Sequence, residues 1–359
     1  MIMHPADLKL SPEDEFALVT PLDDPEVVET MNIWIQDSER NICINFHPKI
    51  RAGEMECALT VFLPDGRILH ADHGNPATFT DPACPTSRYV TLECLEPFKR
   101  WRASVDEAPV YVTSDAEQAG PMPDKEPSTT FSFHGELTLV SPPWINGALL
   151  PECRQTVTGL QGFWLANRKS SGFSPETFRY DQLLEGKGVI TFEGKDYPIH
   201  GAGTKGHVRG VRRLPGMNGH LWAEGYSYDR KRGFGINSFP REGGGFSYSE
   251  GFVLENGIMH PSRIIYMPAR TRDPANINYV FELACDAVGL VRILVEETRR
   301  FWWRSGGWGA NAGGYGDRNV IRYGFDPAAP YVFRQGVARF VWEDGGDVGD
   351  GFVERSEHL

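Results

Sequence analysis

Apolar and polar residues alternate along most of this chain. The segments MNIWIQD (31–37), NICINFHP (41–48), MECALTVFLPDG (55–66), TFSFHGELTLV (130–140) and KGVITFEG (187–194) each keep a period of two over four to ten residues. So do GHLWAEGYSYD (219–229), FSYSEGFVLENG (246–257), NINYVFELACD (276–286) and GVARFVWEDGG (336–346). Period two places successive side chains on opposite faces of a strand. Gly, Pro, Asp or Asn bounds most of these runs, and LPDGR and LENGI carry hairpin dipeptides. No helical period of useful length is present, so βαβ architectures are unfavoured. The pattern predicts an all-β protein with roughly ten strands in each half. Two antiparallel barrels in tandem follow, residues 1–190 and 191–359, with the boundary expected near 185–200.

Three stretches break the alternation. Residues 1–28 read as a polar lead-in with room for one short helix. Residues 115–127 (DAEQAGPMPDKEP) read as a loop. The segment 174–186 (SPETFRYDQLLEG) reads as a short helix with Ser174 as its N-cap.

Composition narrows the function classes. With 359 residues the chain can bury a large core, and 40% hydrophobic and 23% charged content is globular. A formal net charge of −12 argues against nucleic acid or an anionic membrane as partner. No stretch approaches a membrane span, and the N-terminus lacks an apolar signal region, so a soluble, cytoplasmic protein is expected. The six cysteines form no CxxC pair and read as reduced thiols. GxSxG, GxxxxGK[ST] and HExxH are all absent, so the chemistries that those motifs mark are not expected. His70 and His73, three apart, suggest a metal only weakly, because no third ligand lies nearby in sequence.

The richest stretch is 203–229, GTKGHVRGVRRLPGMNGHLWAEGYSYD. It predicts a Gly- and Arg-rich turn carrying His207, Arg209 and Arg212, then a strand with His220, Trp222, Glu224 and Tyr226 on one face. Such a face either lines a cavity or is solvated. In the first case a carboxyl beside aromatic rings has its ionised form disfavoured, and Glu224 becomes a proton donor near neutral pH. In the second, Glu224 pairs with Arg209 or Arg213 in water. His207 either holds the turn or orients an acid. Asp317, after a Gly-rich aromatic loop, is the second acid candidate. Trp164, Trp302 and Tyr315 join Trp222 as candidates for an aromatic wall, with FWWRSGGWG (301–309) the densest cluster. The plain alternative for that cluster is core packing.

The run Gly203-x-x-x-His207-x-x-Gly210-x-Arg212, the Gly-His220-x-Trp222 strand, the early Met31-Asn32-Ile33-Trp34 and the closing Gly349-Asp350-Gly351-Phe352-Val353-Glu354 resemble, in order and spacing, the AttH-like and carotenoid 1,2-hydratase family. The resemblance spans about residues 29 to 355. It implies two lipocalin-like, calycin-type barrels and chemistry on hydrophobic isoprenoid, steroid or polyketide substrates: hydration, dehydration or cyclisation without cofactor. Where that family carries acids around its histidine, this chain reads Gly206-His207-Val208-Arg209. Proton transfer then falls to Glu224, Asp317 or another carboxyl, with His207 and His220 orienting it and Arg209 or Arg212 at a polar substrate end. A non-catalytic lipid or isoprenoid carrier stays open, as does a homodimer through exposed sheet edges.

Overall fold

The structure, a computed structural model, describes residues 10–20, 27–146, 149–150, 178–210, 219–240, 246–268, 272–305 and 322–358. Eleven strands make a first sheet: β1 (Val28–Asp37), β2 (Ile42–Arg51), β3 (Glu54–Phe62), β4 (Arg67–Ala71), β5 (Ala77–Thr78), β6 (Val90–Glu96), β7 (Arg100–Ser114), β8 (Thr129–Leu139), β9 (Trp144–Ile145), β10 (Phe178–Phe192) and β11 (Lys195–Gly210). Nine make a second: β12 (Gly219–Ser227), β13 (Arg232–Pro240), β14 (Phe246–Glu255), β15 (Ile258–Tyr266), β16 (Asn278–Cys285), β17 (Gly289–Ser305), β18 (Arg322–Tyr323), β19 (Tyr331–Trp342) and β20 (Val348–His358).

Each sheet closes on itself. The first runs β11-β1-β2-β3-β4-β7-β8-β10 and back to β11; the second runs β16-β15-β14-β13-β12-β20-β19-β17 and back to β16. Both are eight-stranded antiparallel barrels, a size whose interior side chains can fill. Ile33, Phe46, Trp101, Phe133 and Ile190 fill the first; Phe234, Ile236, Phe281, Phe340 and Trp342 fill the second. Among the described residues, closure pairs the strands of each barrel on both sides.

The hairpin signals act as expected. Asn256 (φ 49°) and Gly257 (φ 80°) turn β14 into β15 with both residues at positive φ, the geometry that suits strand twist. Gly66 (φ 91°) lies in the β3–β4 connection.

Four expectations shift. The short helix foreseen at 174–186 gives way, from Phe178 onward, to β10; the Ser174 cap lies outside the described residues. β10 is hydrogen-bonded on both sides, to β8 and β11, and these pairings outweigh local propensity. The 115–127 loop holds one helical turn, α1 (Asp115–Gln118), whereas the lead-in, with its room for a short helix, carries a 3₁₀ turn at Pro12–Glu15. The Gly-rich turn is not at 203–210: those residues are the second half of β11, antiparallel to β1 with Met31 opposite His207. Glycine there serves close approach, since a Cβ on Gly203 would collide with the Trp34 carbonyl. Residue 190 consequently falls inside β10, and the sheets change over between Gly210 and Gly219.

Side chains stitch the barrels together. Gln36 donates to the Ala338 carbonyl at 2.7 Å, Asp350 accepts from the Ser38 amide at 2.9 Å, and Arg299 pairs with Asp115 at 2.9 Å. Trp34 stacks on Phe352 at 4.9 Å, and Trp222 meets Phe352 edge-on at 4.6 Å. With Cys43, Phe62, Ile68, Phe301 and Val337 these rings make a third apolar core between the barrels.

Candidate active site between the barrels

The alternation of β12 sorts its residues between two different cores. Leu221 and Ala223 point into the second barrel. His220, Trp222, Glu224 and Tyr226 take the outer face, which packs against the first barrel and is buried throughout. The solvated alternative for Glu224 is removed: its side chain is 1% exposed.

Glu224 is held from both barrels. Trp222 Nε1 donates to its Oε1 at 2.8 Å, and the Thr204 hydroxyl, from β11, bonds Oε2. Asp181, from β10, lies close enough that its charge acts on Glu224. Asp181 Oδ2 accepts from Asn146 Nδ2 at 2.7 Å and from Arg179 Nε at 3.2 Å. The Arg179 guanidinium in turn lies over the Trp222 ring at 4.7 Å. Asn237 of the second barrel donates to Asn146 Oδ1 at 2.7 Å and closes the constellation.

Gly206 makes the approach possible. A Cβ there would come within 2.5 Å of Asp181 Oδ1 and 3.2 Å of the Trp222 ring. Glycine lets a carboxylate and an indole share the space above the strand.

Burial raises Glu224 well above its ordinary range, and the negative charge of Asp181 adds to it. Burial also raises Asp181, but Arg179 and Asn146 oppose the rise. The two carboxyls titrate as a unit. Asp181, with a guanidinium and an amide on its oxygen, is the better seat for the charge. Glu224, facing an indole and a hydroxyl, keeps the proton. Both carboxyls are raised, Glu224 the more strongly, and a divergence of this kind is what separates an acid from a base.

Polar atoms left over mark the same layer. Asp181 Oδ1, Asn237 Oδ1, Asn32 Oδ1 and Trp34 Nε1 are buried and have no hydrogen-bond partner among the described residues. Each such atom costs about 1–3 kcal/mol if it stays unpaired in a closed core, and a buried water or a bound polar group relieves that cost.

The other candidates are distributed as follows. His207 and Arg209 lie on the opposite face of β11 and point into the first barrel. There His207 Nε2 is 2.6 Å from Glu29 Oε1, Nδ1 is 3.0 Å from the Tyr180 hydroxyl, and Arg209 donates to Glu29 at 2.6 Å and to the Phe16 carbonyl at 2.7 Å. Burial would push the Glu29 carboxyl up, but Arg209 and His207 outweigh it and hold it at about 2. Burial lowers His207 to about 4, against the pull of Glu29, so the ring is neutral at pH 7. The chain continues through Tyr180 to Glu15, which also accepts from Trp101 Nε1 at 2.6 Å and pairs with Lys205 at 3.0 Å. This buried string locks the 3₁₀ turn onto the first barrel.

His220 shares the Glu224 face but bonds Ser356 Oγ at 2.7 Å. The Tyr226 hydroxyl donates to the Arg230 carbonyl. Trp302 packs with Phe325, Ala329 and Val332, away from Glu224. Trp164, Arg212, Tyr315 and Asp317 lie outside the described residues. The histidine pair does not converge on one point: His70 bonds Thr60 and Tyr323, and His73 bonds the His47 carbonyl.

Asp181, Thr204, Asn146 and Asn237 were not foreseen. Asp181 was hidden in Arg179-Tyr180-Asp181-Gln182, four residues with polar groups on both faces and therefore no readable period.

Residues 11–296 match the family described as a domain of unknown function, DUF7064. No curated protein sequence matches the chain. Among solved structures the fold is similar to that of an AttH candidate from Nitrosomonas europaea, with a TM-score of 0.55 and 13% identity over 96% of this chain and 100% of that one. CghA bound to Sch210972 aligns with a TM-score of 0.49 and 10% identity, over 96% and 97% of the two chains. Kievitone hydratase from Nectria haematococca aligns with a TM-score of 0.45 and 10% identity, over 97% and 93%. At such identities the first likeness speaks for the fold alone.

Proposed function

The chain belongs to the DUF7064 family, and for this member we propose an acid–base lyase or isomerase acting on a bulky apolar small molecule at the carboxyl pair between its barrels. One observation carries the proposal: Glu224 and Asp181 are buried together beside the Trp222 ring, Glu224 raised well above its ordinary range by burial and by the Asp181 charge, while Arg179 and Asn146 oppose the rise of Asp181. A protonated carboxyl in an apolar setting delivers its proton to an alkene or to a departing hydroxyl. In the elimination direction Glu224 protonates the leaving hydroxyl, the C–O bond breaks, Asp181 takes the proton from the adjacent carbon, and an alkene and water are released. Hydration is the reverse. Protonation of an alkene without water gives a double-bond shift or a ring closure. The Trp222 ring lies beside both carboxyls, and an aromatic ring near a developing cation stabilises it. Every proton position needed is supplied by these side chains, in keeping with the AttH-like resemblance. His207 and Arg209 shape the first barrel and do not touch the substrate in this reading.

The test is an incubation of the purified protein with an extract of apolar terpenoid and polyketide metabolites, followed by mass spectrometry. Wild type is expected to produce species changed by one water, or isomers of altered retention at constant mass. Glu224→Gln is expected to produce neither while folding normally. Undiminished turnover by Glu224→Gln rejects the assignment; wild type that returns every compound unchanged supports a carrier instead.

A further inference from the structure

A second constellation lies at one mouth of the second barrel, on the inner faces of its strands. Arg334 (β19) and Arg355 (β20) are both fully buried, and each donates from Nη2 to the same oxygen of Glu297 (β17) at 2.7 Å. The Tyr279 hydroxyl bonds that oxygen too, and each guanidinium gives a further N–H to the Asn276 carbonyl. Two cations therefore share one carboxylate. Among the described residues no other acid lies within ion-pair distance of either guanidinium; the nearby Glu357 faces Arg272 at 3.8 Å. Among the described residues Nε and Nη1 of both arginines have no hydrogen-bond partner. Aromatic faces take part of the charge, with Arg334 over Trp302 at 5.1 Å and Arg355 over Tyr279 at 4.6 Å.

A cavity of about 340 Å³ opens beside Arg355. Leu221, Phe246, Ile264, Tyr266 and Met267 are among its walls, so it is mostly apolar, its polar groups being the guanidinium, His220, Ser356 and the Tyr266 hydroxyl. Its size is that of a small-molecule site. An excess buried positive charge with unspent donors is costly unless an anion reaches it. The apolar walls require that the anion carry a hydrocarbon body.

We propose that this mouth is a binding site, separate from the Glu224–Asp181 pair, for an amphipathic organic monocarboxylate whose head group bonds Arg355 and whose apolar body lies along Leu221, Ile264 and Met267. The head group neutralises the charge that Glu297 leaves over by one charge-assisted bond from Nε or Nη1, because Nη2 of Arg355 is already taken by Glu297 and Asn276.

Fluorescence titration with cis-parinaric acid and with its methyl ester tests this. Wild type is expected to bind one molecule of the acid, and the ester about tenfold more weakly, the effect of one lost charge-assisted contact. Arg355→Gln should weaken the acid to the level of the ester and leave the ester unchanged. Met267→Trp fills the cavity while keeping both arginines in the sequence and should weaken both probes at least tenfold. Equal affinity for acid and ester, no binding by wild type, or full binding by Met267→Trp overturns the proposal. If Arg355→Gln fails to fold, the acid–ester ratio and Met267→Trp still decide.

Discussion

Replacing Glu224 by Gln should make the protein less sensitive to alkali. Glu224 is fully buried, accepts from Trp222 Nε1 at 2.8 Å and bonds the Thr204 hydroxyl. Its ordinary value is 4.5; burial first, and Asp181 second, raise it well above that in the folded protein. The folded state thus keeps a proton that the unfolded chain gives up. Unfolding then releases a proton at every pH between 4.5 and the folded value, and stability falls as pH rises through that window. One proton corresponds to a limiting slope of about 1.4 kcal/mol per pH unit, so the contribution between pH 5 and pH 8 is at most about 4 kcal/mol. Glutamine has the shape of the neutral acid. Its oxygen can accept from Trp222, and its amide can donate to Thr204, whose hydroxyl rotates to receive it. The variant should match wild type within about 1 kcal/mol at pH 5 and become the more stable protein by pH 8. Urea unfolding followed by tryptophan fluorescence at pH 5, 6, 7 and 8 reads the difference. Parallel curves for the two proteins would refute the reasoning, because they would mean that Glu224 is ionised in the folded state.

The remaining predictions concern neighbouring parts of the same framework. His207 is lowered from 6.5 to about 4, so the unfolded chain binds the extra proton and stability falls as pH drops from 6.5 to 4, by up to roughly 3 kcal/mol; His207→Gln should flatten that acid limb in thermal unfolding scans. Glu15 faces Lys205, Trp101 and Tyr180, and Glu15→Ala, which strands the Lys205 ammonium in the first barrel, should cost about 3–5 kcal/mol in urea unfolding. Gly206→Ala forces Asp181 and Trp222 apart and should cost about 1–3 kcal/mol, with turnover lost more completely than stability.

Much of the fold was legible because strand alternation and hairpin chemistry are local. Asn256-Gly257 fixes its turn by backbone sterics alone, and β2, β3, β8 and β16 follow their apolar periods. Barrel closure was not local. It depends on Val28 meeting Gly210 across the whole first sheet, and the glycines that permit this approach resemble a turn when read in sequence. The site was half visible. Trp222 and Glu224 alternate on one strand, so their shared face could be read directly. Asp181 and Thr204 reach Glu224 from another barrel, and no spacing along the chain encodes that meeting. His207 was drawn toward Glu224 by proximity in sequence, yet Thr204 and His207 differ by an odd number of residues. On a pleated strand that difference sends one to the inter-barrel layer and the other into a barrel.

Carbon-13 NMR of protein labelled at glutamate Cδ and aspartate Cγ would reach the shared proton most directly, with Glu224→Gln and Asp181→Asn assigning the two signals. The Glu224 carboxyl should appear protonated at pH 7 while Asp181 appears ionised, and removal of Asp181 should lower the Glu224 midpoint. A Glu224 signal that titrates at the ordinary value for glutamate, or is indifferent to Asp181→Asn, would contradict the account.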